Sequence, residues 1–121
     1  MISGDKVISN AMLRDVERFV SSKIKDRTGK GPQQAKASVK DGNIHIELSG
    51  LLTKMELNFI ETVGEDAYAK VEQTRMEMIR PQIQYYKSGI SEITKSNVEK
   101  IRVTWDARNN ICIAHVEFYK K

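Results

Sequence analysis

Two tetrapeptides of this chain carry matched chemistry: His45-Ile46-Glu47-Leu48 and His115-Val116-Glu117-Phe118. Imidazole nitrogens and carboxylate oxygens are zinc-type ligands, so the two segments side by side would offer four donors. Against a metal centre, neither segment has zinc-finger spacing, and no helical His-x-x-x-His pair occurs. His45 and His115 are therefore weak metal candidates. A polar sheet face, or one used for dimer contact, is the competing reading. Cys112 lies three residues before His115, which suggests a nucleophile and its base. On a strand that spacing puts the two on opposite faces, and a dyad needs hydrogen-bond reach. Cys112 reads instead as a small inward-facing residue.

Three cations stand out as anion or ligand holders: Lys30, Arg75 and Arg80. Lys30 sits in Gly29-Lys30-Gly31-Pro32, which looks like a phosphate loop. However, the glycines leave a helix and enter a strand, the reverse of the strand-to-helix order that aims backbone N–H groups at an anion. A helix stop is the better reading, with Lys30 at a helix C-terminus where positive charge is favourable. Arg75 and Arg80 interrupt the apolar side of a helix, where an arginine needs a carboxylate or an anion. Glu56 or another nearby acid would satisfy Arg75 without any ligand. Trp105, Tyr85, Tyr86 and Tyr119 among basic residues suggest stacking on single-stranded nucleic acid, but the strand pattern turns Trp105 inward, so nucleic-acid binding is disfavoured. No paired carboxylates, Ser/His/Asp set or dinucleotide fingerprint emerges. An enzyme is disfavoured, and no cofactor is implied.

The elements that hold these residues must fit in 121 residues, which suits one domain. Hydrophobic residues make up 40% and charged residues 30%, enough for a core and a soluble surface. No run approaches the ~18 apolar residues of a membrane span. The first ten residues lack the basic and apolar regions of a secretory signal. The single cysteine fits a reducing compartment, and a cytoplasmic location is expected, with peripheral membrane contact open. The net charge of +4 favours encounter with anionic surfaces, although acids and bases are spread along the chain.

Residues 5 to 28 read as a helix, with Ile8, Met12, Val16, Phe19 and Ile24 on one face and Glu17 and Arg14 largely on the other. Gly29 stops it and Pro32 forbids its continuation. Residues 34 to 49 read as a hairpin turning at Asp41-Gly42. That turn pairs Val39 with Ile44, Ala37 with Ile46 and Ala35 with Leu48 on the core face, and Lys36 with Glu47 and Ser38 with His45 on the wet face. Thr53 and Glu56 form a capping box for a helix of about two turns that ends at Gly64. Residues 66 to about 95 read as a long helix. Pro81 kinks it near Met78 or breaks it in two, and Gly89 weakens its second half. Residues 98 to 119 read as a second hairpin. A turn at Asn109-Asn110 pairs Trp105 with Ala114, Val103 with Val116 and Ile101 with Phe118, and Arg102 with Glu117 on the other face.

The expected fold is α+β, in the order α-β-β-α-α-β-β, with a four-stranded antiparallel sheet of two hairpins and helices packed on one face. The hairpins resemble each other, Lys36-x-Ser38 answering Arg102-x-Thr104. Small sheets reuse such pairs, so the likeness is compatible with a chance repeat. Two features predict a homodimer: the outward-facing Ile111 and Ile113, and the heptad-like run from Ile79 to Ile93, for which packing inside the molecule competes closely because two heptads are too few for a free-standing coiled coil.

The combined pattern of Gly29-Lys30-Gly31-Pro32, Val39-x-Asp41, Ile44-x-Ile46-x-Leu48-x-Gly50-x-Leu52-Thr53-x-x-Glu56, Gly64, Val71, Arg75 and Val116-Glu117-Phe118 resembles the small bacterial MpsC-like family. The family is named for a sodium-translocating, membrane-potential-generating system, and the resemblance runs from about residue 8 to 119. It implies a non-enzymatic accessory protein associated with membrane cation or inorganic-carbon transport subunits, and it transfers no catalytic residue. Lys30 departs from the arginine expected there, and Pro81 and Gly89 are local departures too. Two alternatives stand beside this expectation: a small-ligand or nucleotide-sensing domain with a pocket between helices and sheet, and a nucleic-acid-binding module.

Overall fold

The computed structural model describes residues 7 to 120. Helix α1 (Asn10–Thr28) is followed by strands β1 (Gln34–Lys40) and β2 (Asn43–Ser49). Helix α2 (Lys54–Val63) leads into α3 (Asp66–Ile79), a 3-10 turn (Arg80–Gln82) and α4 (Ile83–Thr94). Strands β3 (Val98–Asp106) and β4 (Ile111–Phe118) close the chain. The α+β order is the expected one, with the long helix of residues 66 to 95 interrupted by the 3-10 turn into α3 and α4. The strands form a single antiparallel sheet ordered β1-β2-β4-β3, so the two hairpins join through their second strands.

Helix α1 starts at Asn10, later than residue 5, because the Ser9 side chain accepts the Met12 N–H and caps it there. Residues 5 and 6 of the expected helix lie outside the described residues. Gly29 ends it in the left-handed conformation. The first hairpin has the expected register throughout, and Asp41 and Gly42 both adopt positive φ, as a type I′ turn demands. Val39 is nonetheless 44% exposed. It is the last inward position of an edge strand, beside the turn, and so has neighbours on few sides.

The second hairpin corrects the expected register by two residues. Its turn takes in Ala107 to Asn110, so Trp105 pairs with Cys112, Val103 with Ala114 and Ile101 with Val116. Asp106 accepts the Asn109 N–H, the Glu72 carboxylate accepts the Ala107 N–H, and Ala107 is buried. These bonds favour the wider turn. A shift of two preserves side-chain parity, so the inward set stays inward. Arg102 now faces His115 across the ladder but still reaches Glu117 diagonally as an ion pair. The corrected register sharpens the likeness of the hairpins: Lys36 opposes Glu47 in one, and Lys100 opposes Glu117 in the other.

Pro81 interrupts the long helix just past Met78. The α-helical ladder stops at Ile79, and the chain tightens through a 3-10 turn with Pro81 in its first positions. The Gln82 side-chain amide donates to the Met78 carbonyl and so satisfies an acceptor at the break. Leu13, Val16 and Val20 of α1 and Tyr86 and Ile90 of α4 pack against Ile44, Ile46, Leu48, Cys112 and Val116 of the sheet. The apolar run from Ile79 to Ile93 is thus used inside the molecule, which removes it as an argument for a dimer. Gly89 lets Phe19 of α1 lie against α4, where Phe19 stacks on Tyr85 with centroids 5.4 Å apart.

Candidate functional site

Residues 50 to 53 connect β2 to α2, and side chains from four separate parts of the chain converge on this loop. The Lys30 ammonium donates to the Gly50 carbonyl, and Arg75 Nη2 donates to the Leu51 carbonyl at 3.0 Å. Asn110 Oδ1 accepts the Leu51 and Leu52 N–H groups at 2.9 and 3.0 Å, and the Asn110 carbonyl accepts the Gly50 N–H. The capping box forms as expected: Thr53 accepts from the Glu56 N–H, and Glu56 accepts from the Thr53 N–H.

Glu56 also binds Arg75 through a two-point contact, 2.8 Å from Nε and 2.6 Å from Nη2. Arg75 is 6% exposed and Glu56 21%. Burial alone raises the Glu56 carboxyl pKa. The Arg75 guanidinium and the Thr53 N–H outweigh burial and leave it below the ordinary glutamate value. The Arg75 guanidinium also sits 5.1 Å from the Trp105 ring centroid. Two of the three candidate cations, Lys30 and Arg75, therefore meet on one loop as backbone anchors. Arg80 stays exposed on the 3-10 turn. By residue type Asn110 marks only a turn, where it adopts positive φ; its partners on the loop lie about sixty residues away and leave no local trace in the sequence.

Across the β2–β4 seam His45 faces His115, with ring centroids 4.8 Å apart and the rings edge to face. The two matched tetrapeptides do come together. Among the described residues, no group of three or more His, Cys, Asp or Glu side chains is placed to hold a metal. Glu117 is drawn instead to the Arg102 guanidinium. Cys112 faces inward and burial pushes its thiol up to about 12, so it is a poor nucleophile at neutral pH.

Between the sheet and the elbow of α3 and α4 lies a half-open cavity of about 80 Å³. Ile46, Val103, Cys112 and Ala114 form its floor, and Ile24, Ile79 and Ile83 its roof. Its polar lining comes from Arg27, Thr28, Arg75, Gln82 and Tyr86. Gln82 Oε1 is buried without a hydrogen-bond partner. Burial lifts the Tyr86 hydroxyl pKa to about 12, with the nearby Tyr85 adding to the effect and Arg27 opposing it.

Helix α2 is lightly covered. None of its residues is fully buried. Glu56 and Ile60 face the body of the protein, while Met55, Phe59 and Val63, spaced by four, form an exposed stripe. Met55 is 80% exposed.

No helix among the described residues is long and apolar enough to cross a membrane. Neither a curated protein nor a solved structure matches the chain. One family does, over residues 9–119, from the cap of α1 to the end of β4, and its description is Na+-translocating membrane potential-generating system (MpsC). A match over nearly the whole fold, including the capping box and the loop that Arg75 anchors, places the chain in the MpsC family.

Proposed function

We propose that this protein is a non-enzymatic accessory component that docks onto a membrane subunit of a cation or inorganic-carbon transport system. The exposed stripe Met55, Phe59 and Val63 on α2 carries the reading. Methionine and aromatic side chains are enriched where proteins meet one another, and a contiguous apolar stripe is costly to leave in water. The occupant we assign to it is an apolar segment of a membrane-embedded subunit. The family's description names a membrane system, and the helices described here do not span a bilayer, which supports a place beside the spanning subunits. The net charge of +4 suits an approach to anionic lipid or acidic loops on the cytoplasmic side.

The two-point Arg75–Glu56 pair holds the start of α2, so the stripe is presented on a fixed helix and not on a mobile loop. The proposed homodimer rests on Ile111 and Ile113, half-buried on the uncovered face of the sheet. Light scattering on the eluted protein tests it, and a monomer at high micromolar concentration ends it. The docking reading is tested by affinity capture from solubilised membranes of the source cells with the tagged full chain, in low and high salt. Recovery of a membrane subunit is expected, and recovery of none contradicts the reading.

A further inference from the structure

We infer that the cavity beneath the α3–α4 elbow binds the chain end of a small anionic amphiphile that carries a hydrogen-bond donor near its head group. The walls decide the first part. Aliphatic side chains from three strands and three helices dominate the lining, so the enclosed occupant is hydrocarbon rather than water. A volume of about 80 Å³ is roughly half that of a protein cavity that holds a benzene ring. It takes only the end of a chain, with the rest leaving by the open side.

The polar groups decide the second part. Gln82 lines the cavity and uses its amide nitrogen on the Met78 carbonyl, which leaves Oε1 buried and unpartnered behind the lining. A buried acceptor without a partner calls for a donor, and a turn of the Gln82 amide presents it to one carried by the occupant. Two arginines line the cavity. Arg75 is already neutralised by Glu56. Arg27 is exposed, and no carboxylate among the described residues pairs with it. The anionic head therefore belongs at the Arg27 side. This site shares no residue with the exposed stripe of α2, so it stands or falls apart from the docking reading.

Trp105 is the chain's one tryptophan and lines the cavity, so the full-length protein reports on its own occupancy. Octanoate, 3-hydroxyoctanoate, 8-bromooctanoate and 1-octanol are titrated against its fluorescence. The acids are expected to saturate one site, and the bromo compound to quench Trp105. The hydroxy acid should bind about 2- to 10-fold tighter than octanoate through one added hydrogen bond, a difference lost in Gln82→Leu. Octanoate should bind about two- to fivefold tighter than octanol, a preference lost in Arg27→Ala. Ala114→Phe, which fills the floor, should abolish binding. No saturable response from the unaltered protein up to the solubility limit of the acids overturns the inference. So does quenching that survives Ala114→Phe but disappears in Phe59→Asp. Equal affinity for the two acids overturns the assignment of Gln82.

Discussion

Arg75 grips Glu56 through both carboxylate oxygens, from the middle of α3 to the first turn of α2, and spends a third bond on the Leu51 carbonyl. One guanidinium thereby ties the cap of a helix, the loop before it and a neighbouring helix together. Removing one side of a buried pair leaves the other charge uncompensated, at a cost of about 3–5 kcal/mol. Arg75→Met is expected to lie in that range by urea denaturation. The double variant with Glu56→Met should cost less than the two single changes added together, by at least ~0.5 kcal/mol. Additive losses would show that the pair is not coupled.

The same pair sets an acid limit. The folded-state pKa of Glu56 is lowered, so its contribution is fully present above the unfolded value of about 4.3 and is lost as pH falls through the lower folded value. Stability measured from pH 6 downward should drop in that window, and less steeply in Glu56→Gln. Parallel curves for the two proteins would contradict the assignment.

Gly89 is where propensity and packing disagree. Alanine in a helix interior is ordinarily favoured over glycine by about 0.5–1 kcal/mol. Here a Cβ on Gly89 would lie 2.1 Å from Phe19 Cζ. Gly89→Ala should therefore destabilise by about 1–3 kcal/mol, and Phe19→Leu should recover part of the loss when combined with it. A stabilised Gly89→Ala would show that the α1–α4 contact is looser than described.

Helix α1 also guards an open sheet edge. Glu17 accepts the Ala37 N–H at 2.7 Å and Arg14 donates to the Ala37 carbonyl at 3.1 Å, so both backbone groups at the middle of edge strand β1 are occupied. Edge strands with free groups invite pairing with another chain. Glu17→Ala frees the N–H. It should cost about 1–3 kcal/mol and raise the associated fraction in sedimentation velocity. An unchanged monomer–oligomer balance would remove the guarding role.

Much of this architecture is legible in the sequence because its signals are local. Asp41-Gly42 fixes a register, Thr53 and Glu56 cap a helix, and Gly29 ends one. The second hairpin misled because Asn109-Asn110 satisfies a two-residue turn as well as a four-residue one. The choice is made by Glu72 and a buried Ala107, which are far apart in sequence. The role of Glu17 was hidden for a similar reason: its spacing puts it on the polar side of α1, and only the edge of β1 gives it a task. Arg75 was legible as a buried arginine seeking a carboxylate. The cavity was expected only as a space between layers, since an unfilled volume depends on how whole elements meet.

Docking onto a membrane subunit depends on the exposed stripe of α2. Phe59→Asp and Met55→Asp place charge on that stripe without touching Glu56 or Ile60, so the fold should survive, as circular dichroism would verify. The direct measurement is quantitative recovery of membrane subunits by each variant beside the unaltered chain, at matched salt. Either aspartate is expected to lower recovery at least tenfold, while Lys36→Ala, on the far face of the sheet, leaves it unchanged. Full recovery by both aspartate variants would contradict docking through this stripe.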